Sequence, residues 1–269
     1  MSRITEKLIE AKQRGGGFIP FVTAGDPDAE TSLSIILKLA EMGADVIELG
    51  VPFTDPMADG PTIQLSSQRA LDNGMTLPKV LEISARFRAV SDVPIVLFSY
   101  FNPIMRYGIE RFRDAAAAAG VDGVLLTDVI EDEAAEISAA LAERNIDLIS
   151  LIVPTTSDER LAAIADRARG FIYAVSRAGV TGARQETSST AQHLVERVKR
   201  NTNLPVAVGF GISTAEQITA TWQYAEAAVV GSAIVAEIAR TADPLLVTES
   251  VGKFVGQLLP RFANEVAEN

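Results

Sequence analysis

The alternation of short apolar runs with helical patterns constrains the fold of this chain most strongly. Several of the runs are continuously apolar, which is typical of parallel strands buried on both faces. Eight can be counted, at residues 18–23, 46–53, 94–101, 123–128, 148–154, 170–176, 205–211 and 227–233. Helical patterns lie between them, at residues 30–42, 106–119, 131–144, 158–168, 190–200 and 214–224.

Strands and helices that alternate eight times predict an α/β chain folded as a (β/α)8 TIM barrel, and 269 residues is an ordinary size for it. We expect one TIM-barrel domain over residues 1–269. An open doubly wound sheet is the alternative, which fits eight evenly spaced strands less well. Two additions to the repeat are predicted. They are an extra N-terminal helix near residues 4–14 that covers the bottom of the barrel, and an extended loop after strand 2 with helices near 63–73 and 78–89.

Composition excludes several kinds of chemistry and partner. The chain has no cysteine and a single histidine, His193, so thiolate, His-triad and multi-His metal sites are excluded, and we expect no metal. All the lysines fall on helical patterns, which leaves no strand-end lysine for a Schiff base. A net charge of −11 argues against nucleic acid and anionic membranes as partners. Without a long apolar run or a signal-peptide core, the sequence predicts a soluble cytoplasmic protein.

Glu48 is the one carboxylate within an otherwise apolar strand, in the segment Val-Ile-Glu-Leu-Gly at residues 46–50. A buried carboxylate costs several kcal/mol unless it is paired or neutralised. A structural ion pair is one explanation. Catalysis is the better one, because perturbed acids at strand ends cluster in active sites. The Pro/Gly-rich loop that follows adds Asp55 and Asp59, which suggests proton transfer here. Asp59 can also simply shape its turn, and Asp55 suits a turn or a partner contact better.

Functional residues of a barrel lie at the carboxyl ends of its strands. Phe21, Tyr100 and Phe210 are placed to line a flat apolar pocket, and Tyr173 to reach inward and hydrogen-bond Glu48. Glycine-rich turns follow strands 6, 7 and 8, where backbone N–H groups and new helices favour a phosphate. Ser213 and Ser232 can cap those helices or donate to the phosphate. Arg177 can bind phosphate or brace its loop, and the sequence leaves both readings open.

The chain resembles the tryptophan synthase alpha subunit family over essentially its whole length. The resemblance is carried by residues 18–27, 48–53, 55–64, 100–104, 176–182 and 209–213, which read FIPFVTAGDP, ELGVPF, DPMADGPTIQ, YFNPI, SRAGVTG and GFGIS. One departure follows strand 4, where the family usually has a proline shortly after the aspartate and this chain reads Asp-Val-Ile-Glu-Asp at 128–132.

The resemblance implies a lyase that cleaves indole-3-glycerol phosphate to indole and glyceraldehyde 3-phosphate. It implies that Glu48 transfers protons, that Asp59 accepts from the indole N–H, and that Thr181 holds Asp59 when the loops close. Phe21, Tyr100, Tyr173 and Phe210 would contact the substrate, and Gly182, Gly211, Gly231 and Ser232 would hold its phosphate.

The resemblance also implies a tryptophan synthase beta subunit as partner, in an alpha2beta2 heterotetramer. No cofactor is expected on this chain, because pyridoxal phosphate belongs to the beta subunit. Three alternatives stay open at this point. They are a stand-alone indole-3-glycerol-phosphate lyase that releases indole, another phosphosugar enzyme such as an isomerase, and an inactive barrel that only activates a beta partner.

Overall fold

The eight apolar runs form eight parallel strands that close into a barrel, as predicted. The computed structural model describes residues 1–129, 131–175, 184–209, 211–241 and 243–259. Within these residues the strands follow one another around the ring in chain order: β1 (Gly17–Thr23), β2 (Ile47–Gly50), β3 (Ile95–Ser99), β4 (Gly123–Leu126), β5 (Asp147–Ile152), β6 (Ile172–Val175), β7 (Val206–Gly209) and β8 (Ala227–Val230). Pairing of β1 with β8 closes the ring, with Gly17 opposite Ala227 and Pro20 opposite Val230.

Helices surround this barrel and pack their apolar faces on the outward residues of the strands. The described part of the chain contains α1 (Arg3–Gln13), α2 (Ala29–Glu41), α3 (Pro61–Asp72), α4 (Leu77–Arg88), α5 (Phe101–Tyr107), α6 (Ile109–Ala118), α7 (Glu131–Ala142), α8 (Asp158–Arg167), α9 (Arg184–Lys199), α10 (Ala215–Tyr224), α11 (Ser232–Arg240) and α12 (Pro244–Leu258). None of the described helices is long and apolar enough to span a membrane.

The helix predicted at 106–119 begins later than expected. It is α6, which starts at Ile109, and it is separated at Gly108 from a helix that was not predicted, α5. Gly108 has a φ of +93°, a left-handed conformation that glycine adopts without strain and that ends a helix. The first of the two starts directly after β3, because Phe101 donates its backbone N–H to the Asp128 carboxylate at 2.8 Å.

The N-terminal helix α1 closes the bottom of the barrel, as expected. Its Ile4 and Leu8 are fully buried in the same cluster as the inward-facing strand residues, such as Val96 and Ile149. Polar contacts bind α1 to segments much later in the chain. Thr5 Oγ1 donates to the Gly170 carbonyl at 2.7 Å, and Lys12 Nζ donates to the Ala225 carbonyl at 3.0 Å.

Three carboxylates bind strand ends at the bottom of the barrel. Asp45, Asp122 and Glu226 accept the backbone N–H groups of Phe18, Ile95 and Val206 at 2.9, 2.8 and 2.8 Å. Each carboxylate also forms an ion pair with a cation of a neighbouring segment, namely Arg14, Arg88 and Lys199, respectively. These bottom carboxylates therefore connect neighbouring strands and helices at the amino ends of the strands.

We expect Asp45→Ala to lower the free energy of unfolding by about 2–3 kcal/mol, because it leaves the buried Phe18 N–H without its acceptor. Denaturant unfolding monitored by circular dichroism measures this. Glu30→Ala is the matched control, since the Glu30 carboxylate binds Arg86 but is exposed and accepts no strand N–H in the described structure. Equal stability of the two variants would show that Asp45 does not hold β1.

Candidate active site

Glu48 projects into the barrel from β2, where it lies level with Phe21 of β1 and Val96 of β3. The residue is 1% exposed, and its Oε1 has no hydrogen-bond partner within the described structure. Burial raises the pKa of Glu48 from 4.5 to about 8. The carboxyl group is therefore mainly protonated at neutral pH and able to donate a proton.

Tyr173 of β6 reaches inward, as predicted, and is 4% exposed. Burial, followed by the charge of Glu48, raises the pKa of Tyr173 well above 10.0, which keeps its hydroxyl protonated. Room for that hydroxyl depends on Gly209 of β7, because a Cβ atom at this position would collide with the Tyr173 hydroxyl oxygen. The structure thus places Tyr173 within electrostatic reach of Glu48.

Two aromatic side chains, Phe21 and Phe98, lie beside Glu48 and form an aromatic wall. The rings of Phe21 and Phe98 meet edge to face, with centroids 5.4 Å apart and planes at 79°. Gly50 allows this arrangement, since a Cβ atom there would lie 2.6 Å from the Phe21 ring. Sequence reasoning proposed Phe21 and missed Phe98. The signal was present, because alternation along β3 puts Phe98 on the same face as Val96, which points into the barrel.

The loop between β2 and α3 carries Asp59, which is half-buried. Burial raises the pKa of Asp59 from 3.8 to about 6, against a hydrogen bond from the Tyr100 hydroxyl that lowers it. Asp59 is therefore still mainly ionised at neutral pH. Asp55 on the same loop is exposed, and its carboxylate accepts the Thr54 hydroxyl at 2.5 Å.

The two acids consequently differ in protonation although both belong to one strand and its loop. A pKa of about 8 keeps Glu48 neutral near pH 7, while a pKa of about 6 leaves Asp59 charged. The arrangement provides one proton donor and one anion.

No group of three or more metal-ligating His, Cys, Asp or Glu side chains occurs among the residues that the structure describes.

Glycines follow the ends of β7 and β8. Gly211 is exposed with a φ of +84°, and a Cβ atom there would meet nothing within 4 Å. The predicted serine caps were wrong: Thr214 caps α10 in a capping box with Gln217, and Gly231 occupies the N-cap of α11 without a side-chain bond. Ser232 is instead the exposed first residue of α11.

The remaining predicted residues lie outside the described residues; they are Arg177, Thr181, Gly182 and Phe210.

The buried Glu48 is expected to make the protein less stable as pH rises. Because its folded pKa of about 8 exceeds the ordinary 4.5, its contribution is fully present below pH 4.5 and is lost as pH rises through about 8. Relative to Glu48→Gln, the wild-type free energy of unfolding should fall by about 3 kcal/mol between about pH 5 and about pH 8. Parallel stability curves for the two proteins would contradict the buried neutral acid.

Comparison with known proteins matches the chain to one family. The family profile described as tryptophan synthase alpha chain matches residues 8–256. The tryptophan synthase alpha chain of Geobacter sp. (strain M21) is 49% identical over 259 residues, covering 96% of this chain and 97% of the relative. That of Geobacter sulfurreducens is 50% identical over 236 residues, covering 87% of this chain and 89% of the relative.

Solved structures give the same result. Tryptophan synthase subunit alpha from Legionella pneumophila superposes with a TM-score of 0.88 at 34% identity, covering 98% of this chain and 99% of the other. A chain from the tryptophan synthase a2b2 complex of Pyrococcus furiosus gives 0.84 at 44% identity, covering 91% and 97%. With its closed parallel barrel and a profile match over nearly its whole length, this chain belongs to the tryptophan synthase alpha chain family.

Proposed function

We propose that this protein is an alpha subunit of tryptophan synthase, a lyase that cleaves indole-3-glycerol phosphate to indole and glyceraldehyde 3-phosphate. The observation that carries the proposal is the buried, neutral Glu48 at the inner face of β2, followed on the next loop by the ionised Asp59. Family membership gives the substrate class. The two acids supply the proton donor and the anion that a retro-aldol cleavage requires.

The reaction begins with protonation of the indole. Glu48 donates its proton to C3 of the ring, and positive charge develops at the ring nitrogen. Asp59 accepts the indole N–H and stabilises that charge. Glu48, now a carboxylate, takes the proton of the hydroxyl on the side-chain carbon attached to C3. The carbon–carbon bond breaks, its electrons return to the indole, and the former alcohol carbon becomes the aldehyde of glyceraldehyde 3-phosphate.

Other side chains position the substrate in this proposal. The flat indole lies against the aromatic wall of Phe21 and Phe98, and Tyr173 orients Glu48 through its protonated hydroxyl. The phosphate is held at the open end of the barrel by Gly211, Gly231 and Ser232, with Gly182 completing the site. Support comes from the exposed, left-handed Gly211 and from the start of α11, where N-cap Gly231 supplies no side-chain acceptor for the first backbone N–H groups. Thr181 and Phe210 keep the roles implied by the family resemblance.

The partner in this proposal is a tryptophan synthase beta subunit, which receives the indole and carries pyridoxal phosphate in an alpha2beta2 heterotetramer. No cofactor or metal is assigned to this chain, because two carboxyl groups are sufficient for the proton transfers above. The support for a docking surface is two methionines beside the site, Met57 on the Asp59 loop and Met105 on α5, which are 93% and 55% exposed. A cytoplasmic location is part of the same proposal.

Glu48→Gln and Asp59→Asn are each expected to reduce cleavage by at least about 10²-fold, because each removes one of the two acid–base groups. Glyceraldehyde 3-phosphate released from indole-3-glycerol phosphate can be followed with a coupled dehydrogenase. Wild-type activity should rise with pH through about 6, as Asp59 ionises, and fall through about 8, as Glu48 loses its proton.

Glu30→Ala serves as the control in that assay, since Glu30 is an exposed carboxylate on α2. Gly211→Val is expected to raise KM more than it lowers kcat, because its side chain enters the open space of the glycine turn. Near-normal cleavage by a folded Glu48→Gln protein would overturn the proposed function.

Met57→Lys is expected to weaken binding of the beta subunit about tenfold or more, because a charge replaces an exposed apolar contact at the interface. Isothermal titration with the purified beta subunit measures this. Val90→Lys is the matched control: Val90 is also 71% exposed but lies between the end of α4 and the start of β3, at the bottom of the barrel. If both variants bind equally well, the partner does not dock on the Met57 face.

A further inference from the structure

The Tyr100 hydroxyl joins the end of β3 to the loop that carries Asp59. Its oxygen accepts the backbone N–H of Ala58, the residue before Asp59, at 2.8 Å. A phenolic oxygen has lone pairs that can accept an amide hydrogen, so the contact suits both groups. Tyr100 itself is only 5% exposed.

The ring that carries this hydroxyl is held in place independently of the loop tip. Tyr100 follows β3 directly and occupies the N-cap position of α5. Its ring packs against Phe53, with centroids 5.2 Å apart and planes at 34°. The hydroxyl is therefore a fixed attachment point for a loop in which Met57, the residue before Ala58, is almost fully exposed.

A second contact holds Asp59 from the other side. Gln64 of α3 donates its side-chain amide to the Asp59 carbonyl oxygen at 2.9 Å. The carbonyl of Asp59 is thus bound to α3, whereas the N–H of the preceding residue, Ala58, is bound to Tyr100. These two contacts hold the backbone on either side of the Asp59 side chain.

We propose that Tyr100 is a positioning residue for the cleavage, whose hydroxyl binds the Ala58 amide, ties the loop to β3 and so sets where Asp59 stands relative to the indole N–H. The inference rests on the proposed function for the role of Asp59. It assigns to the Tyr100 hydroxyl a task that differs from the pocket-lining role predicted from the sequence.

The Tyr100→Phe variant separates these roles, because it removes the hydroxyl and keeps the ring against Phe53. We expect kcat to fall about tenfold, which corresponds to the loss of one hydrogen bond, with KM changed less than about twofold. The acidic limb of the pH–rate profile should move to higher pH, because the hydrogen bond from Tyr100 lowers the pKa of Asp59. Exchange of the Ala58 amide hydrogen, resolved by NMR, should become faster since its acceptor is gone.

Tyr107→Phe is the matched control, a hydroxyl deletion on α5 at a residue whose ring packs against Arg111. It should change neither Ala58 exchange nor the pH–rate profile. Unchanged kcat and unchanged exchange in Tyr100→Phe would overturn the positioning role. A raised KM with unchanged kcat would also overturn it, since that result assigns Tyr100 to the substrate-contacting wall.

Asp59→Asn distinguishes failure of this inference from failure of the proposed function. Full cleavage activity in Asp59→Asn would overturn the role of Asp59 and, with it, the positioning role of Tyr100. An inactive Asp59→Asn protein together with a fully active Tyr100→Phe protein would overturn only the positioning role.

Discussion

The pairing of β1 with β8 is the contact on which the rest of this structure depends. It converts a row of parallel strands into a ring, so that every second residue of each strand faces a common interior. Phe21, Glu48 and Tyr173 are far apart in the chain, yet they face that interior because their strands belong to the same closed sheet. An open sheet with the same strands would direct alternate residues to two separate helical layers instead.

Closure also explains how two carboxyl groups so near in sequence differ in protonation. Glu48 is inside the ring, where desolvation favours the neutral acid and Oε1 finds no partner in the described structure. Asp59 is on a loop at the rim, where desolvation is smaller and the Tyr100 hydroxyl opposes it. Position relative to the ring, rather than residue type, decides which acid donates a proton and which carries charge.

The aromatic side chains at the carboxyl ends of the strands have room because the residues beside them are glycines. Gly50 leaves space for the Phe21 ring, and Gly209 leaves space for the Tyr173 hydroxyl. The glycines at these strand ends therefore have a packing role inside the site, separate from the conformational role of Gly211 in its turn. Such a role is invisible in a sequence pattern, where each glycine is simply part of a loop.

The sequence was sufficient to predict the barrel, the cover formed by α1 and the burial of Glu48. These features follow from periodicity and from one charge in an apolar run, both of which are local properties of the chain. The break at Gly108, the Thr214 cap and the contact between Phe21 and Phe98 were not predicted. The first two are choices between adjacent residues that differ little in propensity, and the third requires the register between strands. The bond from Ala58 to Tyr100 likewise joins two segments 42 residues apart, so no local pattern reports it.

The N-terminal cover has a consequence for synthesis on the ribosome. Helix α1 is made first, but its polar anchors are the carbonyls of Gly170 and Ala225, and the Trp222 indole returns to the Gly17 carbonyl at 2.8 Å. Until those late segments emerge, Ile4 and Leu8 have no completed barrel bottom to enter. The apolar residues of this segment therefore stay without their native partners through most of translation, which exposes them to contacts with other apolar surfaces.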